Sequence, residues 1–409
     1  MRIAHVSDCY LPRLGGIETQ VHGLARRQRL AGHDAQVITA TPLARHDRTR
    51  DDVVEGVPVH RVTADLPYEL PLHPRPGREV LRVVETGGFD VVHLHVGVLA
   101  QFAQGAAQAL VRARVPLVVT VHSLWGPATG FFRLADVLVR WGDWPAVLTA
   151  VSEAAARPVR AAARGRVEVG VIPNGIEPGD WRIEPAPRRP GVVLVAAAMR
   201  LAPRKRPLPL LEALREVRVG LPPQLSLRAV VAGEGPQRRA MERYRDRHGL
   251  GWVELPGRLG SAELRDLYAR ADVFAAPAVL EAFGIATLEA RAAGLPVVAR
   301  AGTGVEEFVT DGVEGLLASS DGTFAAALHR LVADPVLRAR IAAHNRRVPP
   351  GVVLVAADRG EGHGDDGPVE HRHARAEDGR QQDRPRAGGP VDERVGHGAR
   401  TGTRRAARP

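Results

Sequence analysis

Short runs of β-branched and apolar residues alternate with helical stretches along most of this chain, and the pattern occurs twice. In the first half the runs fall at residues 3–7, 35–39, 57–61, 90–95, 117–122, 147–151 and 167–172, with helical stretches such as 17–31 and 100–113 between several of them. Strands joined in this way pair in parallel, because a parallel neighbour needs a long crossover and a helix supplies it. A second series at 192–197, 226–232, 252–256, 273–276, 296–299 and 315–318 follows the proline-rich stretch Pro185-Ala186-Pro187-Arg188-Arg189-Pro190. The fold class expected is therefore α/β: an N-terminal Rossmann-like domain over 1–184, a linker over 185–190 and a C-terminal Rossmann-like domain over 191–347. Ligands of such sheets bind outside the carboxyl ends of the strands, so the site is expected in a cleft between the domains.

From about Val348 the chain changes character. Residues 348–409 contain no Phe, Trp, Tyr, Ile, Met or Lys and a single leucine, Leu354. Such a segment cannot bury enough apolar surface to order itself, so disorder is expected there. The tail also reads like a GC-rich gene translated out of frame. The lone cysteine, Cys9, leaves no intramolecular disulfide and fits a reducing compartment. The first residues lack a signal peptide's apolar region, and no uncharged apolar run reaches transmembrane length. A cytoplasmic placement follows, with the inner face of the cell membrane left open. The formal net charge is +10, but the arginines are scattered and match no nucleic-acid-binding motif, so nucleic acid is not expected as a partner.

The most informative segment runs from Glu281 through Phe283-Gly284-Ile285 to Glu289, Ala290 and Gly294-Leu295-Pro296-Val297-Val298. Two glutamates lie eight apart around a Phe-Gly turn that opens an apolar helix. A turn of this kind aims backbone N–H groups and the positive helix end outward, as anion binding requires. Glu281 should precede the helix and Glu289 should lie near two turns in, with one carboxylate taking sugar hydroxyls and the other ribose hydroxyls. Earlier, Gly15-Gly16 follows the first strand and opens a helix, in a spacing that is not G-x-G-x-x-G and so disfavours a dinucleotide dehydrogenase. His122 ends an apolar strand; His93 and His95 end another and read as structural. Of the 56 basic residues only Lys205 is a lysine, five positions after Arg200. A compact ammonium is not interchangeable with a planar guanidinium, so a lysine kept against such a bias marks a specific contact.

Together these segments closely resemble glycosyltransferase family 4, whose hallmark is a Glu-x7-Glu segment of the form E-x-F-G-x-x-x-x-E-A-x-A-x-G-x-P-V-V-A. The resemblance runs from Met1 to about Arg347. It implies a GT-B fold and retaining transfer of a sugar from a UDP- or GDP-sugar donor to a hydroxyl acceptor, lipid-linked, polyol or glycan. It also implies donor-binding roles for Gly15, Gly16, Arg200, Lys205, Glu281, Phe283, Gly284, Ile285 and Glu289. His122, Glu281, Arg200 and Lys205 would be the catalytic set, with no cofactor and no metal. The family writes G-R-x-x-x-x-K-G at the lysine, where this chain has Met199 and Arg206 in the glycine positions. The family's Gly-Gly-x-Pro-Glu also departs here, with Thr303 and Glu306 replacing a glycine and the proline. Two alternatives remain: a GT-B sugar-nucleotide epimerase, and an impaired remnant that still binds nucleotide.

Five of the 17 aromatic residues crowd between 125 and 144, namely Trp125, Phe131, Phe132, Trp141 and Trp144, with Arg133 and Arg140 among them. This stretch follows His122. It reads equally as a seat for a lipid-linked acceptor or anionic membrane surface and as a helix buried on the first domain.

Overall fold

The β-branched runs of the first series become strands: β1 (Arg2–Ser7), β2 (Asp34–Thr39), β3 (Asp51–Val54), β4 (Val57–Arg61), β5 (Val91–Val96), β6 (Leu117–Val121), β7 (Ala146–Ala150) and β8 (Val169–Val171). Helices α1 (Gly16–Leu30), α2 (Pro76–Gly87), α3 (Gln101–Arg112), α4 (Thr129–Val139), α5 (Glu153–Ala162) and the short α6 (Pro178–Trp181) lie among and after them. The second series gives β9 (Val192–Ala198), β10 (Ser226–Ala232), β11 (Val253–Glu254), β12 (Val273–Ala276), β13 (Val297–Arg300) and β14 (Gly315–Ala318). Its helices are α7 (Pro207–Val219), α8 (Arg238–Arg247), α9 (Ser261–Arg270), α10 (Ile285–Ala292), α11 (Asp321–Ala333) and α12 (Pro335–Arg347). This computed structural model describes residues 1–351 except 14, 45–46, 48 and 65–72, and leaves the side chains at 127 and 178 undescribed. Most of the expected tail, 352–409, lies outside the described residues.

The first sheet has the order β3-β4-β2-β1-β5-β6-β7-β8, and the second β11-β10-β9-β12-β13-β14. Every pairing is parallel except β3 with β4. That hairpin was not anticipated from sequence. Its turn, Glu55-Gly56, has φ of +47° and +83° at its two central residues, the sign pattern of the tight turn that matches strand twist. Strand order reverses at β1, which lies between β2 and β5, and at β9, which lies between β10 and β12. The loops leaving β1 and β5 in one sheet, and β9 and β12 in the other, therefore flank the two crevices where open sheets hold ligands.

Apolar packing ties the lobes together. The buried layer holding Val92, Leu94 and Ala155 of the first lobe continues through Trp181 into Ala196, Phe274, Phe283 and Leu288 of the second. The opposite face of the second sheet is covered by α7, α11 and α12 around Leu210, Leu214, Leu328 and Ile341. Asn345 docks α12 by donating its side-chain N–H groups to the carbonyls of Leu295 (2.8 Å) and Glu314 (3.0 Å). The proline-rich linker is held to the second lobe, where Ala186 N–H donates to the carbonyl of Ala269 at 2.9 Å.

Helix α3 has no capping side chain of its own; the buried Asp8, just past β1, caps it instead. The Asp8 carboxylate accepts from the backbone N–H groups of Phe102 (2.9 Å) and Ala103 (3.0 Å). Burial pushes its pKa up to about 6, and those hydrogen bonds pull the other way. Asp8→Ala leaves two helix-terminal donors without an acceptor. It should lower stability by about 1–3 kcal/mol, read as a lower urea midpoint; an unchanged midpoint contradicts the capping role.

Candidate functional site

In the second lobe, β9 leads into a loop whose backbone is held from below. Leu201 N–H donates to the carbonyl of Glu234 at 2.8 Å, and Met199 N–H to that of Ala232 at 3.0 Å. The two backbones approach so closely that a Cβ on Gly233 would stand 1.8 Å from the Met199 oxygen, and one on Gly235 2.4 Å from the Leu201 oxygen. Glycine is required there because nothing else fits. The braced loop presents an exposed Arg200 and a half-buried Lys205. Arg206, at the position the family gives to glycine, has φ of +58° and pairs with Asp321, so the left-handed turn survives without glycine.

Lys205 Nζ meets the carboxylate of Glu281, which lies in the loop leaving β12. Glu281, Phe283, Gly284 and Ile285 form a tight turn with Gly284 at φ +92° as the cap of α10. Phe283 is buried against Phe308, with ring centres 5.2 Å apart, so it offers the cleft its backbone rather than its ring. Helix α10 begins at Ile285, so Glu289 lies just over one turn in and not two. Burial raises the Glu289 pKa to about 8.

The first lobe contributes the facing side. Gly15 caps α1 in extended backbone, and a Cβ on Gly16 would lie 3.4 Å from Ile285 Cδ1. The N-termini of α1 and α10 thus approach one another across the cleft, each with a positive helix end. Glu18, buried in the first turn of α1, was given no role from sequence. Burial raises its pKa, while its own backbone N–H and the charges of Arg13 and Arg200 lower it, so Arg200 acts across the cleft. The Glu281 turn is also latched from the first lobe. Ser152 Oγ donates to the carbonyl of Ala282 at 2.6 Å, and the N–H of Glu153, first residue of α5, donates to Glu307 Oε1 at 2.6 Å. The signal that could have found this latch is Ser152-Glu153, a helix-start pair at a strand end.

His122 follows β6 and is not alone. His5 Nδ1 and His95 Nε2 are 3.0 Å apart, as are His95 Nδ1 and His122 Nε2, and His5 Nε2 is 2.6 Å from Gln28 Oε1. His93 Nε2 bonds to Thr120 Oγ1 at 2.6 Å. The sequence suggested no metal-ligand set, yet His5, His93 and His95 bring ring nitrogens within 4.8 Å of one another. Hydrogen bonds already occupy both nitrogens of His5 and both of His95.

The aromatic stretch divides. Trp125 and Phe132 stack at 3.6 Å inside the first lobe, and Trp141 meets Trp125 edge-on, donating its Nε1–H to the carbonyl of Phe132 at 3.1 Å. On α4, Phe132 and Asp136 point inward, whereas Phe131, Leu134 and Leu138 are 66%, 60% and 75% exposed.

A family profile described as Glycosyltransferase Family 4 matches residues 14–180, and one described as Glycosyl transferases group 1 matches 190–334. A D-inositol 3-phosphate glycosyltransferase of Kribbella flavida is 32% identical over 373 residues, covering 79% of this chain and 84% of its own. The chain belongs to glycosyltransferase family 4. It is also 29% identical to a phosphatidyl-myo-inositol mannosyltransferase of Mycolicibacterium smegmatis over 352 residues, covering 83% of this chain and 86% of that one. The solved structure of Anabaena HepE in complex with UDP and glucose superposes with a TM-score of 0.66 at 23% identity, covering 85% of this chain and 94% of that chain. The fold is GT-B and the protein is a glycosyltransferase; the epimerase and inactive-remnant alternatives find no support.

The buried histidines of this family 4 member set its response to acid. Burial lowers the pKa of His5 and His122 to about 4, and those of His93 and His95 well below the ordinary value. Unfolded histidines titrate near 6.5, so the unfolded chain takes up protons that the folded one refuses. Asp8, Glu18 and Glu289, whose pKa values are raised by burial, act in the opposite sense but are three against four. Stability should therefore fall as pH drops from about 6.5 to about 4, seen as a declining thermal midpoint. A midpoint that is flat or rises over that window contradicts the assignment.

Proposed function

We propose that this chain is a retaining hexosyltransferase that uses a nucleoside diphosphate-sugar, with UDP or GDP as the nucleotide. The observation that carries the reading is the Lys205–Glu281 pair, which joins the loops leaving β9 and β12 at the strand-order reversal of the second sheet. A diphosphate entering there competes for Lys205 with Glu281. Lys205 and Arg200 then hold the phosphates beside the N-terminus of α10, and Glu281 is released towards sugar hydroxyls. Glu289 receives the ribose hydroxyls, and His122 and the Gly15-Gly16 turn close the site from the first lobe. The bond from the anomeric carbon to the diphosphate breaks, and the acceptor oxygen attacks that carbon from the same face. The acceptor's proton passes to a phosphate oxygen of the leaving group. Negative charge grows on the diphosphate in the transition state, so fixed cations aimed at it accelerate the step. The scheme calls on no metal.

The acceptor approaches from the side of α4. Its exposed Phe131, Leu134 and Leu138, together with the exposed Arg133, form an apolar-basic face suited to an anionic membrane carrying a lipid-linked acceptor. Among the described residues no helix is long and apolar enough to cross a membrane.

Two measurements test these statements. Lys205→Ala should reduce turnover of a nucleotide-sugar about 100-fold with a nearly unchanged melting midpoint, and Lys205→Arg should not restore it; full activity in the arginine variant removes the specific role of the ammonium. In flotation with phosphatidylserine-containing vesicles, the combined substitution of Phe131, Leu134 and Leu138 by serine should abolish co-migration. Trp141→Ala, altering a partly buried ring, should change it less, and equal loss in both contradicts the docking face.

A further inference from the structure

The row from Gln28 through His5 and His95 to His122 has a direction, and that direction has a consequence for the donor side of the cleft. A neutral imidazole carries one N–H donor and one acceptor nitrogen. Burial keeps His5, His95 and His122 neutral, so each ring has a single proton to place. The Gln28 side-chain oxygen accepts from His5 Nε2–H at 2.6 Å, which leaves His5 Nδ1 as an acceptor. His95 must then donate from Nε2 to His5 Nδ1 at 3.0 Å, leaving its own Nδ1 as an acceptor. His122 in turn donates from Nε2 to His95 Nδ1 at 3.0 Å. The one ring nitrogen of the row without a partner is His122 Nδ1, which is buried. Run in the opposite sense, the row would put a buried N–H at that position with nothing to accept it, the costlier of the two outcomes.

We infer that Gln28, His5 and His95 act as positioning residues that fix His122 in the tautomer with its proton on Nε2, so that Nδ1 offers a lone pair to a hydroxyl of the bound sugar. The inference rests on the donor-binding reading of the cleft and adds residues that never touch the donor. His5 lies on β1 and His95 on β5, at the strand-order reversal of the first sheet, while Gln28 comes from the last turn of α1, the helix whose first turn faces Ile285. The same helix that lines the cleft at its start thus sets the hydrogen-bond polarity of His122 near its end. An unpaired buried acceptor costs stability in the free protein, and a sugar hydroxyl would satisfy it on binding.

The test begins with the full chain labelled with nitrogen-15 histidine. Long-range proton–nitrogen correlation spectra, assigned with single His→Gln variants, should show a bare Nδ1 and a protonated Nε2 on His5, His95 and His122 alike; a protonated Nδ1 on His122 overturns the inference. Gln28→Leu removes the anchor. In that variant His122 should show mixed tautomers, affinity for the nucleotide-sugar should fall about tenfold, the loss of roughly one hydrogen bond, and affinity for the free nucleoside diphosphate should hold. Unchanged tautomers and unchanged nucleotide-sugar affinity in Gln28→Leu also overturn it. Failure of the wild-type chain to bind any nucleoside diphosphate or nucleotide-sugar would count against the donor reading instead, while the tautomer spectra still report on the row itself.

Discussion

The Lys205–Glu281 ion pair is the junction on which the rest of the second lobe's crevice depends. Its lysine stands on a loop fixed by backbone hydrogen bonds to Ala232 and Glu234, and by glycines at 233 and 235 that let two chains run almost in contact. Its glutamate stands on a turn held by Ser152 from the first lobe and by the backbone of Gly304, which donates to the Glu281 carbonyl at 2.9 Å. Both partners are therefore anchored on elements with little freedom, and their side chains are only 19% and 20% exposed. A charge pair so placed is partly desolvated, and an incoming diphosphate can replace the carboxylate without leaving the ammonium unpaired.

The first lobe supplies a different kind of order. A stripe of His5, His93, His95, Thr120 and Thr149 runs across neighbouring strands where apolar residues would ordinarily pack. Its members fall into two hydrogen-bonded chains, His5 with His95 and His122, and His93 with Thr120 and Thr149, whose hydroxyls are 2.7 Å apart. The first of these chains ends at His122, whose buried Nδ1 is left without a partner. In the proposed mechanism the two lobes bring complementary chemistry: cations and helix termini for phosphate on one side, a fixed acceptor on the other.

Much of this was legible in the chain itself. The alternating periods marked both sheets and all the parallel strands, missing only the antiparallel β3, because strands buried on both faces read as continuous apolar runs. The spacing of Arg200 and Lys205, and the Glu281–Glu289 segment, pointed to residues that the fold places on neighbouring loops or one helix. What stayed hidden depended on contacts between distant segments. The Asp8 cap on α3, the Ser152 and Glu307 latch, and the histidine row each join residues whose partners only the register of a sheet or the approach of two lobes could reveal. The Phe283 ring fills the core beneath the turn, a placement the motif alone does not specify. The crowd of aromatics at 125–144 divided by helix face, which a count of residues cannot do.

The central claim is that a diphosphate takes Lys205 from Glu281. The most direct measurement is a crystal structure of the full chain grown with uridine or guanosine diphosphate. The account predicts the diphosphate between Lys205, Arg200 and the N-terminus of α10, with the lysine turned from the Glu281 carboxylate to a phosphate oxygen. Nucleotide bound elsewhere, or bound there with Lys205 still paired to Glu281, would contradict it.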